Sequence, residues 1–420
     1  MDTSVSFSSS TVNAGIYEMN STKDDTNPVY YYRGDVTNNN VKFANFCWKI
    51  VRTTQTGGVK LVYNGVVGSD GSCNNTGTDS QIGTSPFNTS HTSVAYSGYM
   101  YGNVYESSKY NMQEFVKSNY IGYDVSTHTV KYQDMTNAYF TDRSGVTFGS
   151  SSSPYAILGT SIDASEWAEK YTLVTNTNGL RYTRFGGVSG YLSYGMNYIY
   201  YGDATYVYYV YLSKADDYQY LYTPEEVLNQ MTTESSNSTN STIKETIDTW
   251  YKNNMVAYTS KLEDTDYCND RSIIRYGGWK DANSATSPYL YYGARNRLIS
   301  LYKPSVSCSN NDKFTTSTNA GNGKLEYPVG LLTADETVLA GSKYSSQNTN
   351  YYLYTGQNWW TMSPYLFFYD YACGFAVQTN GSISYNYESF DYGVRPVISL
   401  KAGTKYVSGD GTATSPFVVE

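Results

Sequence analysis

The sequence predicts an α+β protein with a central antiparallel sheet, a few flanking helices, long surface loops and a β-rich insert. Three observations lead there. Apolar residues alternate on either side of Gly57-Gly58, the pattern of an antiparallel hairpin over residues 43–63. Three short segments open with helix-start signals ahead of an apolar-periodic run. Long stretches of Gly, Asn, Ser and Thr separate these elements, a composition that belongs to loops on a surface.

Taken in order, residues 1–29 are polar and read as an edge strand or a tether ahead of one domain over 30–420. The first firm element is VKFANFCWKIVRTT at 41–54, whose Trp48 and Ile50 alternate with Val59, Leu61 and Tyr63 across the turn, so Trp48 is expected to anchor the core. Residues 66–93 read as an irregular loop, 111–119 as a short helix, and 145–215 as an insert of strand-like runs between glycine turns. Helices are expected at 224–231, after Thr223-Pro-Glu-Glu, and at 241–254, where Ile243, Ile247 and Trp250 share a face. A third, at 333–340, has Thr333 as its cap, Glu336 at the third helical position and Gly341 at its end. The segment GFAVQTNGSIS reads as a hairpin about Asn380-Gly381. The hairpin at 43–63 and strands at 374–378 and 394–400 are expected to share the central sheet, with the helices packed on it. Two domains divided near residue 215 are the alternative.

Composition narrows the function. Only 16% of the 420 residues are charged, against roughly 25% in an average soluble domain, and 49 are tyrosine. Tyrosine buries a large ring at low entropic cost and keeps a hydroxyl, so the balance resembles a recognition surface more than an enzyme core. A net charge of −8 without a Lys/Arg cluster argues against a nucleic-acid groove. No stretch approaches 18 consecutive apolar residues, so no membrane span is expected. The two histidines, His91 and His128, lie in unrelated contexts, which disfavours a histidine-rich zinc site and a Ser-His-Asp triad. The N-terminus has neither a basic nor an apolar segment. With low charge and five cysteines, the chain reads as a mature fragment of an extracellular or cell-surface protein, its signal and anchor lying outside the fragment.

The cysteines stand at 47, 73, 268, 308 and 373, with no CxxC, so thioredoxin chemistry and structural zinc fail on spacing. Cys47 with Cys73 and Cys268 with Cys308 are plausible disulfides, each worth roughly 3 kcal/mol or more by chain entropy, against the plainer reading of buried thiols. Cys373 is left as a free thiol. Asp264, Asp266 and Asp270 offer oxygen ligands, but the segment lacks the calcium-loop pattern, Arg271 offers an internal partner, and a capped helix end with an Asp–Arg contact is the plainer reading. No cofactor or metal is called for. The strongest constellation is C-terminal: Tyr365, Phe367, Phe368, Tyr369, Tyr371, Tyr385, Tyr387, Phe390 and Tyr392. So many rings in non-periodic order exceed what one small core absorbs, and exposed aromatic clusters mark binding. Simple packing over a loop-rich core is the alternative.

Several ordered motifs carry a resemblance: VYYYRGDVTNNNVKFANFCWKIVRTTQTGGVKLVYNG, STIKETIDTWYKNN, YCNDRS, YPVGLLTADETVLAG, NWWTMSP and GVRPVISLKAG. They resemble a family of secreted or surface-attached Gram-positive and gut-bacterial proteins. The domain of that family is similar to the C-type lectin fold of formylglycine-generating enzymes and of the variable proteins of diversity-generating retroelements. The resemblance implies a C-type lectin-like fold, and a diversified stretch between Trp360 and Gly393-Val-Arg-Pro that adds Cys373, Phe375 and Glu388 to the binding residues. It also implies a fixed framework including Trp359, Trp360, Arg395 and Pro396. The rigid fork of Arg395 suits tying loop carbonyls or a carboxylate beneath the aromatic site. Neither the sugar-binding triplets of calcium-dependent lectins nor the paired active-site cysteines of formylglycine-generating enzymes is found. The expected function is therefore a non-enzymatic adhesin or receptor-binding module whose partner is a protein or glycan on another cell or particle. An inert structural surface protein is the rival, and a lectin-fold enzyme trails both.

Overall fold

The computed structural model describes residues 5–8, 12–19, 28–102, 104, 237–274, 289–308, 312–317, 323–368 and 371–420, and the backbone of short strands between 108 and 221. The chain is mixed α+β, mostly strands with few helices, in several sheets.

Two sheets carry the described core. Their strands in chain order are β1 (Gly15–Met19), β2 (Val29–Arg33), β3 (Asn40–Phe43), β4 (Phe46–Thr53), β5 (Val59–Val66), β6 (Thr84–Ser85), β7 (Ile273–Ile274), β8 (Tyr289–Tyr292), β9 (Trp359–Phe368), β10 (Tyr371–Val377), β11 (Ile383–Tyr387), β12 (Tyr392–Gly393), β13 (Val397–Leu400), β14 (Tyr406–Ser408) and β15 (Phe417–Val419). The first sheet has eight strands in the order β1-β2-β4-β3-β15-β14, with β5 beside β4 and β13 beside β5. The second has seven, in the order β7-β8-β9-β10-β11, with β12 parallel to β9 and paired to β6.

The hairpin at 43–63 forms as expected, with Gly57 at φ +88° in the turn, a conformation that glycine adopts without strain. The strand at 394–400 joins it, Val397 opposite Val62 and Leu400 opposite Val59. The strand at 374–378 does not, which corrects the expectation of one shared sheet. It lies within β10 between β9 and β11, because the Asn380-Gly381 turn returns the chain onto β10 and satisfies its edge locally. Gly381 takes φ +78° there.

The two longest helices among the described residues pack against these sheets. Helix α1 (Thr242–Asn254) starts where Ser241 accepts a hydrogen bond from the Lys244 amide and buries Ile243, Ile247 and Tyr251 on one stripe. Trp250 is only partly buried but its ring still meets Trp48 and Tyr63. Helix α2 (Ala334–Ala340) is buried along its whole length, between β2 of the first sheet and β9–β11 of the second. A full capping box forms: Thr333 accepts from the Glu336 amide, and the Glu336 carboxylate accepts from the Thr333 amide. At the other end Arg33 donates to the carbonyls of Val338 and Leu339. One core joins both sheets to α1, with Trp48, Leu61 and Tyr63 from the first sheet and Trp359, Trp360 and Val377 from the second.

The chain crosses between the sheets at Val394–Pro396, from β12 to β13. Arg395, 1% exposed, is the tie. Its guanidinium donates to the carbonyls of Tyr63 and Leu353 and to Asn64 Oδ1, and lies 5.1 Å from the Trp359 ring centroid. Burial lowers its pKa to about 10, so it stays charged at neutral pH.

Both expected disulfides are present, Cys47–Cys73 and Cys268–Cys308, and Cys373 is a buried free thiol. Among the described residues no helix is long and apolar enough to cross a membrane. Most of 145–215, and the helices expected at 111–119 and 224–231, lie outside the described residues. What is described there is strand backbone: Met100–Tyr101 pairs with Thr239–Asn240, Ser108–Tyr110 with Gln219–Leu221, Thr129–Tyr132 with both Tyr120–Asp124 and Met135–Thr141, Thr147–Phe148 with Ala156–Ile157, and Ile199–Tyr201 with Val207–Tyr209.

Candidate functional site

Strands alternate their side chains, so β11 sends Tyr385 and Tyr387 to one face of the second sheet and Asn386 to the other. Register carries Phe375 and Cys373 onto the tyrosine face, opposite Tyr385 and Tyr387 respectively. The inner part of that face is covered by α2 and by the helical stretch 293–301, and Tyr365, Cys373 and Phe375 are core there with Ala294, Leu298 and Val338. The outer part is open: Tyr385 is 43%, Tyr387 38% and Phe390 45% exposed.

The aromatic candidates are thus divided. Tyr365, Phe367, Cys373, Phe375 and Glu388 are buried, which corrects the expectation that they reach a ligand; the helices over the inner face withdraw Tyr365, Cys373 and Phe375 from solvent. Tyr371 and Tyr392 are half-buried, and Tyr385, Tyr387 and Phe390 are exposed. Phe368 is placed by its backbone alone, and Tyr369 lies outside the described residues.

The open rings rest on fixed ones. Tyr385 stacks on Tyr365 at 4.1 Å and 3°, and Tyr365 in turn lies parallel to Tyr344, with their hydroxyls 3.0 Å apart. Beyond Tyr365, Tyr291 meets it edge-on and the Arg295 guanidinium sits 3.7 Å from the Tyr291 centroid. On the other flank His91 lies nearly parallel to Tyr371 and Tyr387, and Phe390 adjoins Tyr387 at 5.8 Å. Desolvation lowers the His91 pKa, so the ring is neutral at pH 7. His91, Tyr344 and Tyr291 were not among the sequence candidates. Only the fold brings them in: the Ala372 amide donates to the His91 carbonyl, the Asn88 amide to the Glu388 carbonyl, and His91 Nδ1 lies 2.8 Å from Ser389 Oγ.

Beneath this face Glu388 is fully buried on the Trp360 side of the sheet, and neither carboxylate oxygen meets a donor in hydrogen-bond geometry. Desolvation drives its pKa well up; the nearby Asn88 amide and more distant Arg271 offset only part of that. Burial therefore favours the protonated form of Glu388. Desolvation likewise pushes the Cys373 thiol up, the opposite of what a nucleophile requires.

The acidic segment has local partners. Asp264 accepts from the amides of Thr316 and Ser317, and Asp266 pairs with Lys313. Asp270 pairs with Arg297, and Arg271 donates to Asn237 Oδ1. A cleft of about 400 Å³, open mouth included, lies beside Cys268–Cys308. Its charges meet within the protein: Glu336 takes Arg52 and Lys60, and Arg297 takes Asp335 and Asp270. Among the described residues no group of three or more His, Cys, Asp or Glu side chains is placed to hold a metal ion. Comparison with protein-family models, curated proteins and solved structures finds no match to this chain.

Proposed function

We propose that this chain is a non-enzymatic, ligand-binding surface protein of adhesin or receptor-binding type, with a C-type lectin-like fold similar to that of retroelement variable proteins. Its partner is a protein or glycan on another cell or particle. One observation carries the reading: Tyr385, Tyr387 and Phe390 stand exposed together on one sheet face, each against another ring. Pre-set rings lose little entropy when a partner covers them, which suits recognition. The pair of disulfides suits an oxidising, extracellular setting. The burial of Tyr365, Phe367, Cys373, Phe375 and Glu388 favours a second reading, an inert structural surface protein, and confines the binding residues to the outer rings.

The test is binding of labelled protein to intact cells, with the triple variant Y385A/Y387A/F390A alongside. A truncated aromatic anchor in a well-packed interface costs about 2 kcal/mol or more, about thirtyfold in affinity. Equal binding by the variant would sink the proposal. Diversification is tested at the encoding locus, where a reverse transcriptase and a near-copy repeat differing at adenines is the expected finding.

A further inference from the structure

We infer that the partner of this aromatic face is an extended peptide segment that adds a strand to the edge of β11 at Tyr385. This rests on the binding reading above and names the partner's chemistry. β11 is the last strand of the second sheet. Along a strand of an antiparallel pair, residues alternate between bonding to the neighbour and pointing their N–H and C=O away from it. The Ser382 carbonyl accepts from the Gln378 amide at 2.8 Å and the Glu388 amide donates to the Ala372 carbonyl at 3.1 Å, so the even-numbered residues face β10. Ile383 faces the other way. Its amide donates to the Lys343 carbonyl and its carbonyl accepts from the Ser345 amide, both at 3.0 Å. Tyr344 thus bridges Ile383 in parallel, and residues 343–345 already add a short strand to this edge.

That added strand stops short of Tyr385. Ser345 takes φ +49° and the chain folds back, so that the Asn348 amide reaches the Asn380 carbonyl at 3.1 Å. Further along, Tyr387 is answered locally: its amide donates to Asn386 Oδ1 at 2.9 Å and its carbonyl accepts from the Phe390 amide at 3.1 Å. Tyr385 lies between them with the same outward parity, and among the described residues neither its N–H nor its C=O meets a partner. A donor and an acceptor on one edge residue are the complement of another backbone, and Ile383 shows the same edge taking one. Side chains two residues apart on the incoming strand then lie beside the Tyr385 and Tyr387 rings, where β-branched and aromatic residues pair best.

The test pans the full chain against a phage-displayed library of random dodecapeptides and titrates synthetic copies of the enriched peptides by fluorescence anisotropy. Enriched peptides should carry β-branched or aromatic residues at alternate positions. Replacing the Tyr385 N–H by an ester oxygen, through suppression with the α-hydroxy acid analogue of tyrosine, should weaken their binding about fivefold or more. The same replacement at Tyr387, whose N–H is bonded within the protein, should leave it unchanged. Each ester weakens one ladder bond to β10, so the second controls for damage to the sheet. No enriched peptide, full binding by the Tyr385 ester, or equal loss from both esters overturns the inference. Cell binding that Y385A/Y387A/F390A loses would then leave the binding reading standing with another kind of partner, a glycan included. Cell binding that the triple variant keeps would end both.

Discussion

Replacing Glu336 by glutamine should cost this protein about 3 kcal/mol at neutral pH. Glu336 is 2% exposed and accepts from Arg52 Nε at 2.7 Å and Lys60 Nζ at 2.8 Å. Burial alone would raise its carboxyl; the ammonium and guanidinium outweigh that and hold it at about 2, against 4.5 for a free side chain. That difference is worth about 3 kcal/mol of folding stability at pH 7, close to the 3–5 kcal/mol typical of breaking a buried ion pair. Glutamine still accepts from the Thr333 amide, so the capping box survives and the charge is isolated. A depressed folded pKa stabilises above pH 4.5 and loses that contribution as pH falls toward 2. Urea unfolding of wild type and E336Q from pH 7 to pH 2.5 should show a gap near 3 kcal/mol that shrinks below pH 4.5. A gap under 1 kcal/mol at pH 7, or one that does not change with pH, would refute the reasoning.

Glu388 should behave in the opposite sense. Its raised pKa costs stability progressively as pH climbs above 4.5, so E388Q should melt higher than wild type at pH 8 and equally at pH 4. A pH-independent difference in Tm would contradict the raised carboxyl. R395K removes the planar fork and leaves two carbonyls and Asn64 Oδ1 short of donors. At about 1 kcal/mol or more for each, the expected loss is about 3 kcal/mol by denaturant titration; unchanged stability would remove Arg395 from its role as the tie between the sheets. The sequence separations of 26 and 40 predict losses of about 3.5 and about 4 kcal/mol when Cys47–Cys73 or Cys268–Cys308 is replaced by serines. Iodoacetamide should label Cys373 only after denaturation, and labelling of the native protein would contradict its burial.

Local signals were the legible ones. The Gly57-Gly58 and Asn380-Gly381 turns, the Ser241 cap and the Thr333–Glu336 capping box each involve residues a few positions apart, so spacing alone specifies them. The placement of 374–378 was not legible, because a strand's sheet is decided by which distant edge it meets. The same holds for the site. Composition shows that aromatic side chains are in excess, but it cannot tell Tyr385 from Tyr365, whose rings stack and yet differ in exposure. That difference comes from α2 and residues 293–301, which settle over the inner face. His91 reaches the face from nearly 300 residues away in sequence, and no local pattern marks it.

The central claim, that the outer rings of β11 are the recognition surface, is tested most directly by tyrosine nitration of the protein free and bound to cells, mapped by mass spectrometry. Tyr385 and Tyr387 should react in the free protein and be protected when it is bound, while Tyr406, 58% exposed on the edge of the other sheet, reacts in both. Tyr385 and Tyr387 remaining reactive on the bound protein would contradict the account.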